Sequence, residues 1–299
     1  MKKAAVIFNK KSGRTKDRPM EYEIIEQLGS AGYDVEILYT PPEGARQLAK
    51  EKAAGSDLIV AAGGDGTIGE VIGGITESGC KPLLSVLPAG TVNDYARTLG
   101  LPLDLNDTIS ALSEKQRTIE ADVIRYNDQY AGYLIALGDF MESFTRVKSE
   151  TKNRFGSIAY LHTGIRALVT MKPYEVRITL ADEEIMEQSL LTIVANASSV
   201  GSFERLLPEA SLDDGNLHVL NIRESSPKEI LEIIWLALKN RITEHKNVRY
   251  LKTEWLKVEA DRLSVMDVDG DPYPFEPLDI SLLKGRVRVS IPEKEGNEK

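Results

Sequence analysis

The chain has 299 residues, 42% of them hydrophobic and 28% charged, enough to bury a sizeable core spread over about two domains. Its formal net charge of -9 argues against nucleic acid as a partner, its one cysteine, Cys80, permits no internal disulfide, and its scattered His162, His218 and His245 argue against a zinc site. No apolar run approaches the ~20 residues of a membrane span, and Met1-Lys2-Lys3 leads into a short strand rather than a signal-peptide core, so a cytoplasmic protein is expected.

In chain order, Ala4 to Phe8 reads as a buried strand running into the polar turn Asn9-Lys10-Lys11-Ser12-Gly13, where two ammonium groups suit a phosphate. Tyr33 to Tyr39 reads as a strand and Gly44 to Ala54 as a helix. The apolar run Asp57-Leu58-Ile59-Val60 is followed by Ala61-Ala62-Gly63-Gly64-Asp65-Gly66-Thr67 and a helical segment from Ile68 to Ile75. Such a turn suits phosphate: glycines let the backbone approach a ligand, and the first N–H groups of a helix lack internal partners. Asp65 would repel phosphate unless a divalent cation bridges the two. Gly64, Gly66 and Gly69 fit a dinucleotide fingerprint, but Leu84-Ser85-Val86-Leu87 lacks the acidic residue a ribose requires, and no Walker lysine pattern exists.

A fourth strand, Pro82 to Leu87, leads into Pro88-Ala89-Gly90-Thr91-Val92-Asn93-Asp94-Tyr95-Ala96-Arg97, where Thr91 and Asn93 suit an N-cap or a ligand hydroxyl. Polar loops after successive parallel strands gather at the carboxyl edge of an α/β sheet, where ligands bind. From Thr118 the pattern turns to strands: Thr118 to Tyr126, Tyr130 to Leu137, Tyr174 to Leu180, Leu190 to Asn196, Leu217 to Ile222, Trp255 to Ala260, Leu263 to Asp267 and Leu278 to Ile291. Helices interrupt it around Ser157 to Thr170 and Pro227 to Arg241, and Glu293 to Lys299 looks disordered. An α/β domain over 1–117 with a parallel sheet and a β-rich domain over 118–299 are therefore expected.

These motifs resemble the diacylglycerol-kinase catalytic-domain superfamily, in particular its bacterial soluble lipid kinases, with sphingosine and ceramide kinases more distant. The resemblance rests on Asn9 to Gly13, Gly63 to Thr67 and Pro88 to Arg97, then Lys152 to Tyr160 and Pro208 to Gly215, and so runs from about Lys3 to Ile291. It implies a β-sandwich second domain whose last strand, near 283–291, can return to the first. It implies an ATP- and Mg²⁺-dependent transfer to the hydroxyl of diacylglycerol or a related lipid. ATP would be held by Asn9, Lys10, Lys11, Ser12, Gly13, Thr40, Gly64, Asp65, Gly66, Thr67, Ile68, Gly69, Glu70 and Thr91, with Asp65 acting through Mg²⁺. Asp94 and Asp122 match acidic positions of the family's metal and water network. A structural Mg²⁺ would sit on the Asp214 carboxylate and the carbonyls of Ser211 and Asn216, in a segment that otherwise reads as an Asx-type turn.

Asp271 stands where the family carries its glutamate general base, in the turn Asp267-Val268-Asp269-Gly270-Asp271-Pro272. Losing a methylene retracts the carboxylate by about 1.5 Å, and a misplacement of about 1 Å can cost roughly 100-fold in rate. Two rivals stay open: a kinase of a soluble acceptor such as NAD, whose kinases share Gly-Gly-Asp-Gly-Thr, and a nucleotide- or lipid-binding regulator silenced at Asp271. The implied partner is a lipid at a membrane surface, approached peripherally and transiently; a homodimer is left open. Given the chain's negative charge, a local basic patch is expected to make that approach, either Arg146, Lys148, Lys152 and Arg154 or Lys239, Arg241, Lys246, Arg249 and Lys252 beside Ile233-Ile234-Trp235-Leu236.

Overall fold

The computed structural model describes residues 1–10, 20–138 and 171–293. The expectations for Lys11, Ser12 and Gly13, for Lys152 to Tyr160, for a helix over 157–170, for the Arg146 to Arg154 basic cluster and for the tail beyond 293 lie outside them.

The chain forms two compact units. The first runs from Met1 to Val123 and takes in the chain again from Lys284; the second is Ile124–Leu283. In the first unit β1 (Lys2–Phe8), β2 (Tyr33–Tyr39), β3 (Leu58–Gly63) and β4 (Leu83–Pro88) pair in parallel in the order β4-β3-β1-β2. The end of β15 (Leu278–Pro292) adds to β4, also in parallel, through Arg288 and Val289. Ala4 to Phe8 and Leu58 to Gly63 are buried throughout, as expected where helices cover both faces of a parallel sheet. α1 (Glu21–Ser30) and α5 (Leu105–Ala111), neither anticipated from the sequence, cover one face by packing Ile24, Leu28, Leu105 and Ile109 against Val6, Phe8, Val60 and Leu87.

α2 (Arg46–Ala53) and α3 (Asp65–Ser78) pack together, and here the glycines of α3 have a steric reason. A Cβ on Gly74 would lie 2.2 Å from the Arg46 carbonyl oxygen, so the close crossing requires a bare Cα. The first unit also holds the short α4 (Asp94–Leu99).

The second unit is β-rich and antiparallel. β7 (Leu134–Gly138), β8 (Tyr174–Thr179), β9 (Glu184–Ala195), β12 (Trp255–Ala260), β13 (Val265–Val268), β14 (Asp271–Pro274) and the start of β15 follow one another in the order β14-β13-β7-β9-β8-β12-β15. β10 (Leu217–Arg223) pairs β9 and β11 (Val248–Thr253), while β5 (Gln116–Tyr126) pairs β6 (Gln129–Ala131). Their inward residues, among them Ile124, Ile135, Tyr174, Val194, Val219, Val258 and Ile280, form one apolar core. α6 (Pro227–Leu238) starts at a capping box: Ser226 Oγ accepts the Glu229 N–H, and Glu229 accepts the Ser226 N–H.

Three departures from the sequence expectation have physical causes. The single strand expected over Tyr130 to Leu137 breaks between β6 and β7, where the amides of Gly132 and Tyr133 turn to the Asp269 carboxylate. β14 carries Pro272 and Pro274, which argue against a strand, yet it ends the sheet order, and an edge tolerates proline. The units divide after Val123, inside β5, rather than at its start.

Candidate functional site

The loops after the first four strands meet at the carboxyl edge of the parallel sheet because the hydrogen-bond ladder continues past the strands. The Asn9 N–H reaches the Ala62 carbonyl at 2.9 Å, the Thr40 N–H reaches that of Phe8 at 3.1 Å, and the Ala89 N–H reaches that of Gly63 at 2.8 Å. Asn9 Nδ2 donates to Thr67 Oγ1 at 2.9 Å, joining the first loop to the glycine-rich turn. Lys10 lies 3.8 Å from the Tyr39 ring centroid and 3.9 Å from Glu21.

The glycine-rich turn and the fourth loop touch backbone to backbone. A Cβ on Gly90 would come 2.6 Å from Gly64 Cα and 2.7 Å from Asn93 Oδ1, and one on Gly63 would come 2.6 Å from the Thr67 side chain. Asn93 does not cap α4 through its side chain. It takes a left-handed φ of 59° and folds back, Oδ1 accepting the Gly90 N–H at 2.9 Å and Nδ2 donating to the Gly90 carbonyl at 3.1 Å. Thr91 is left exposed at the apex of that loop.

Asp65 opens α3 directly after Gly64, and no side chain among the described residues caps that helix. Its first amides therefore stand ready for an anion. The Asp65 carboxylate is only 8% exposed and accepts the Tyr95 N–H at 3.1 Å. Burial, and then the charge of Asp94, push it up from 3.8 to about 7, against the pull of the amides of Tyr95, Asp94 and Asn93. Two buried carboxylates beside an uncapped helix start form a donor set suited to Mg²⁺, which takes one or two carboxylates and fills its remaining positions with water and phosphate oxygens. Among the described residues no three His, Cys, Asp or Glu side chains converge to hold a metal by themselves.

Several of the expected site residues also have contacts within the scaffold. Ile68 is fully buried and its N–H closes on the Gly64 carbonyl at 3.0 Å, and Gly69 is buried on the same helix. Glu70 accepts the Ala45 N–H at 2.5 Å, and a Cβ on Gly44 would strike its carboxylate at 2.3 Å, so Glu70 anchors the start of α2. Asp122 accepts the Gly285 N–H at 2.8 Å and so fastens the returning end of the chain.

In the second unit, Asp269 and Gly270 take φ of 52° and 89° between the paired Val268 and Asp271, the two positive angles of a type I′ hairpin. The Asp269 carboxylate, 3% exposed, accepts the N–H groups of Gly132 at 2.6 Å, Tyr133 at 2.9 Å and Leu134 at 3.1 Å. That staple, missed in the sequence although Asp-Gly is a hairpin signal, sets the turn from which the exposed Asp271 starts β14.

The Asp214 turn is also closely bonded. Asp214 Oδ1 accepts the Asn216 N–H at 2.8 Å, and Oδ2 accepts the Ser211 N–H at 3.0 Å and lies 2.8 Å from His218 Nε2. The Ser211 carbonyl accepts the Asp214 N–H at 3.2 Å. His218 is fully buried, with Nδ1 at 2.6 Å from the Tyr250 hydroxyl, which burial, Glu209 and Asp214 push up to about 12. A cation on Asp214 would share a carboxylate that three donors already address.

Residues 3–126 match the family model of the diacylglycerol kinase catalytic domain, and residues 142–291 match that of the YegS C-terminal NAD kinase beta sandwich-like domain. A diacylglycerol kinase of Staphylococcus saprophyticus is 31% identical over 299 residues, covering 99% of this chain and 98% of that one. The chain belongs to the diacylglycerol kinase catalytic-domain family. A diacylglycerol kinase of Bacillus subtilis is 30% identical over 302 residues, covering 100% of this chain and 99% of its own length. A Bacillus anthracis crystal structure described as that of a candidate diacylglycerol kinase superposes with a TM-score of 0.83 at 26% identity, covering 96% of this chain and 94% of that one. Membership makes this chain a kinase with a parallel α/β first part and a β-rich second part. No helix among the described residues is long and apolar enough to cross a membrane.

Proposed function

We propose that this kinase transfers the γ-phosphoryl group of ATP to the hydroxyl of diacylglycerol or a related lipid at a membrane surface. The observation that carries the reading is Asp65, buried beside Asp94 at the uncapped start of α3 and held at about 7. A buried carboxylate this disfavoured in its charged form, with a second one beside it, suits an external cation, and phosphoryl transfer needs one. Mg²⁺ bound there would neutralise charge on the transferring phosphoryl group. The backbone of Gly64 to Thr67, with Asn9, Lys10, Thr40 and Thr91 around it, would bind and orient the phosphates. Asp271 would accept the lipid hydroxyl proton while that oxygen attacks phosphorus and the bond to ADP breaks.

Lipid as acceptor is supported by the names of the relatives. Asp271, shorter than the glutamate it replaces in the family pattern, favours a second reading: a protein that binds nucleotide and lipid with weak turnover. Incubation with labelled ATP, Mg²⁺ and a panel of diacylglycerol, ceramide, sphingosine and NAD separates these. A labelled phospholipid is expected; labelled NADP, or ATP binding with no labelled product, overturns the reading.

A further inference from the structure

α6 is apolar on two faces. Ile230, Ile233, Ile234 and Ala237 are buried beneath it, yet Leu231, Trp235 and Leu238 are 57%, 56% and 56% exposed. Their spacing, four residues and then three, lines them up as one outward stripe, and a contiguous apolar surface of this kind marks an interaction face. Lys228, three residues before Leu231, and Lys239, four after Trp235, are exposed on the same side.

The charge of this segment runs against that of the chain. Lys228, Lys239, Arg241 and Lys246 stand against Glu229, Glu232 and Glu244, whereas the whole chain has 37 basic and 46 acidic residues. Three of each are paired, Glu232 at 3.9 Å from Lys228, Glu229 at 2.9 Å from Lys246, and Glu244 with Arg241, so the excess positive charge is that of the exposed Lys239. This narrows the sequence expectation, because Ile233 and Ile234 face the core, while Arg249 pairs with Glu187 and Lys252 with Glu209.

We infer that the outer face of α6 docks on an anionic lipid bilayer, an inference that rests on the lipid-acceptor reading above. The stripe seats Leu231, Trp235 and Leu238 at the boundary of headgroups and acyl chains, where tryptophan is favoured, and the flanking lysines extend to the headgroups. A second copy of the chain is the poorer occupant. Two identical stripes packed face to face would bring the flanking lysines of both copies together, whereas an anionic surface attracts them.

The chain has two tryptophans, Trp235 and Trp255, so Trp255→Phe leaves Trp235 as sole reporter. With vesicles of phosphatidylglycerol and phosphatidylcholine its emission is expected to shift to the blue and to be quenched by brominated acyl chains. Lys228→Glu/Lys239→Glu and, separately, Leu231→Ser/Leu238→Ser should each weaken vesicle binding about tenfold or more, with unchanged circular dichroism. Vesicle binding without a Trp235 shift, no vesicle binding, or a blue shift that follows protein concentration without vesicles overturns the inference; the last identifies a second copy as the occupant. Diacylglycerol phosphorylation in neutral detergent micelles should persist in both double variants. If the wild type phosphorylates no lipid there, the function reading fails, and the vesicle result still stands by itself.

Discussion

Asp65 and Asp269 are both aspartates buried in glycine-bearing turns, and they do opposite work. Asp269 takes three backbone N–H groups at 2.6 to 3.1 Å and is spent on holding the β6–β7 break against the β13–β14 hairpin. Asp65 also has amides around it, but Asp94 lies beside it, and its carboxyl is held at about 7. Burial alone therefore does not mark function. A carboxylate whose charge the fold answers with three amides is architecture; one that burial and a second carboxylate disfavour in its charged form is the candidate for the proposed cation.

The largest effect should come from removing the second kind. Asp65→Ala is expected to lower turnover by about 10²- to 10³-fold or more while leaving the unfolding midpoint equal or higher, since a disfavoured charge leaves the interior. Retained turnover in a normally folded variant breaks the contrast. Asp269→Ala should behave in reverse. Three buried amides lose their acceptor, so urea unfolding should show a loss of about 3 to 5 kcal/mol, with turnover falling through the loss of folding and of the turn that places Asp271 rather than through metal binding. A stability change under about 1 kcal/mol would show that the staple is not structural.

The pH dependence sharpens the same comparison. Asp65 has a folded pKa of about 7 against 3.8 for an unperturbed aspartate, so between those values the folded chain binds more protons than the unfolded one. Its stabilising contribution is full below the lower value and is lost as pH rises through the upper one, a swing of at most about 4 kcal/mol. Urea unfolding from pH 4 to pH 8 should therefore show a decline that Asp65→Asn lacks, and Mg²⁺ should recover part of it above pH 7. Parallel wild-type and Asn curves would remove the carboxylate-pair argument.

Much of this was legible beforehand, for stated reasons. Gly63 to Thr67 reads as a turn opening a helix because glycine spacing and a following helix are local properties, and β1 to β4 read as strands because strands buried on both faces are continuous apolar runs. What the sequence withheld depends on partners distant in the chain. Asp269 meets amides of Gly132 to Leu134, and His218 sits between Asp214 and Tyr250. Likewise the contact of Glu70 with the Ala45 amide, and the need for a bare Cα at Gly74 under the Arg46 carbonyl, depend on α2 packing against α3. The stripe on α6 was half visible: the apolar content was plain, but which residues faced outward needed the packing of Ile230 and Ile234 against Leu190.

The smallest expected effect tests the second unit. Asp271 is placed by a hairpin whose turn residues Asp269 and Gly270 are fixed by positive φ and by the amide staple, so its Cα should not move when the side chain changes. Asp271→Glu then extends the carboxylate by about 1.5 Å from a fixed base. If the site is a shortened version of the family's, kcat toward diacylglycerol should rise, by up to the roughly 100-fold that a misplacement of about 1 Å can cost; if the acceptor approaches closer here, kcat should fall by a similar factor. Either direction with unchanged ATP affinity supports a role in proton acceptance, provided Asp271→Asn also lowers kcat. Equal kcat for wild type, Asn and Glu in an assay limited by chemistry would reduce Asp271 to a turn residue, and the contrast would then rest on Asp65 alone.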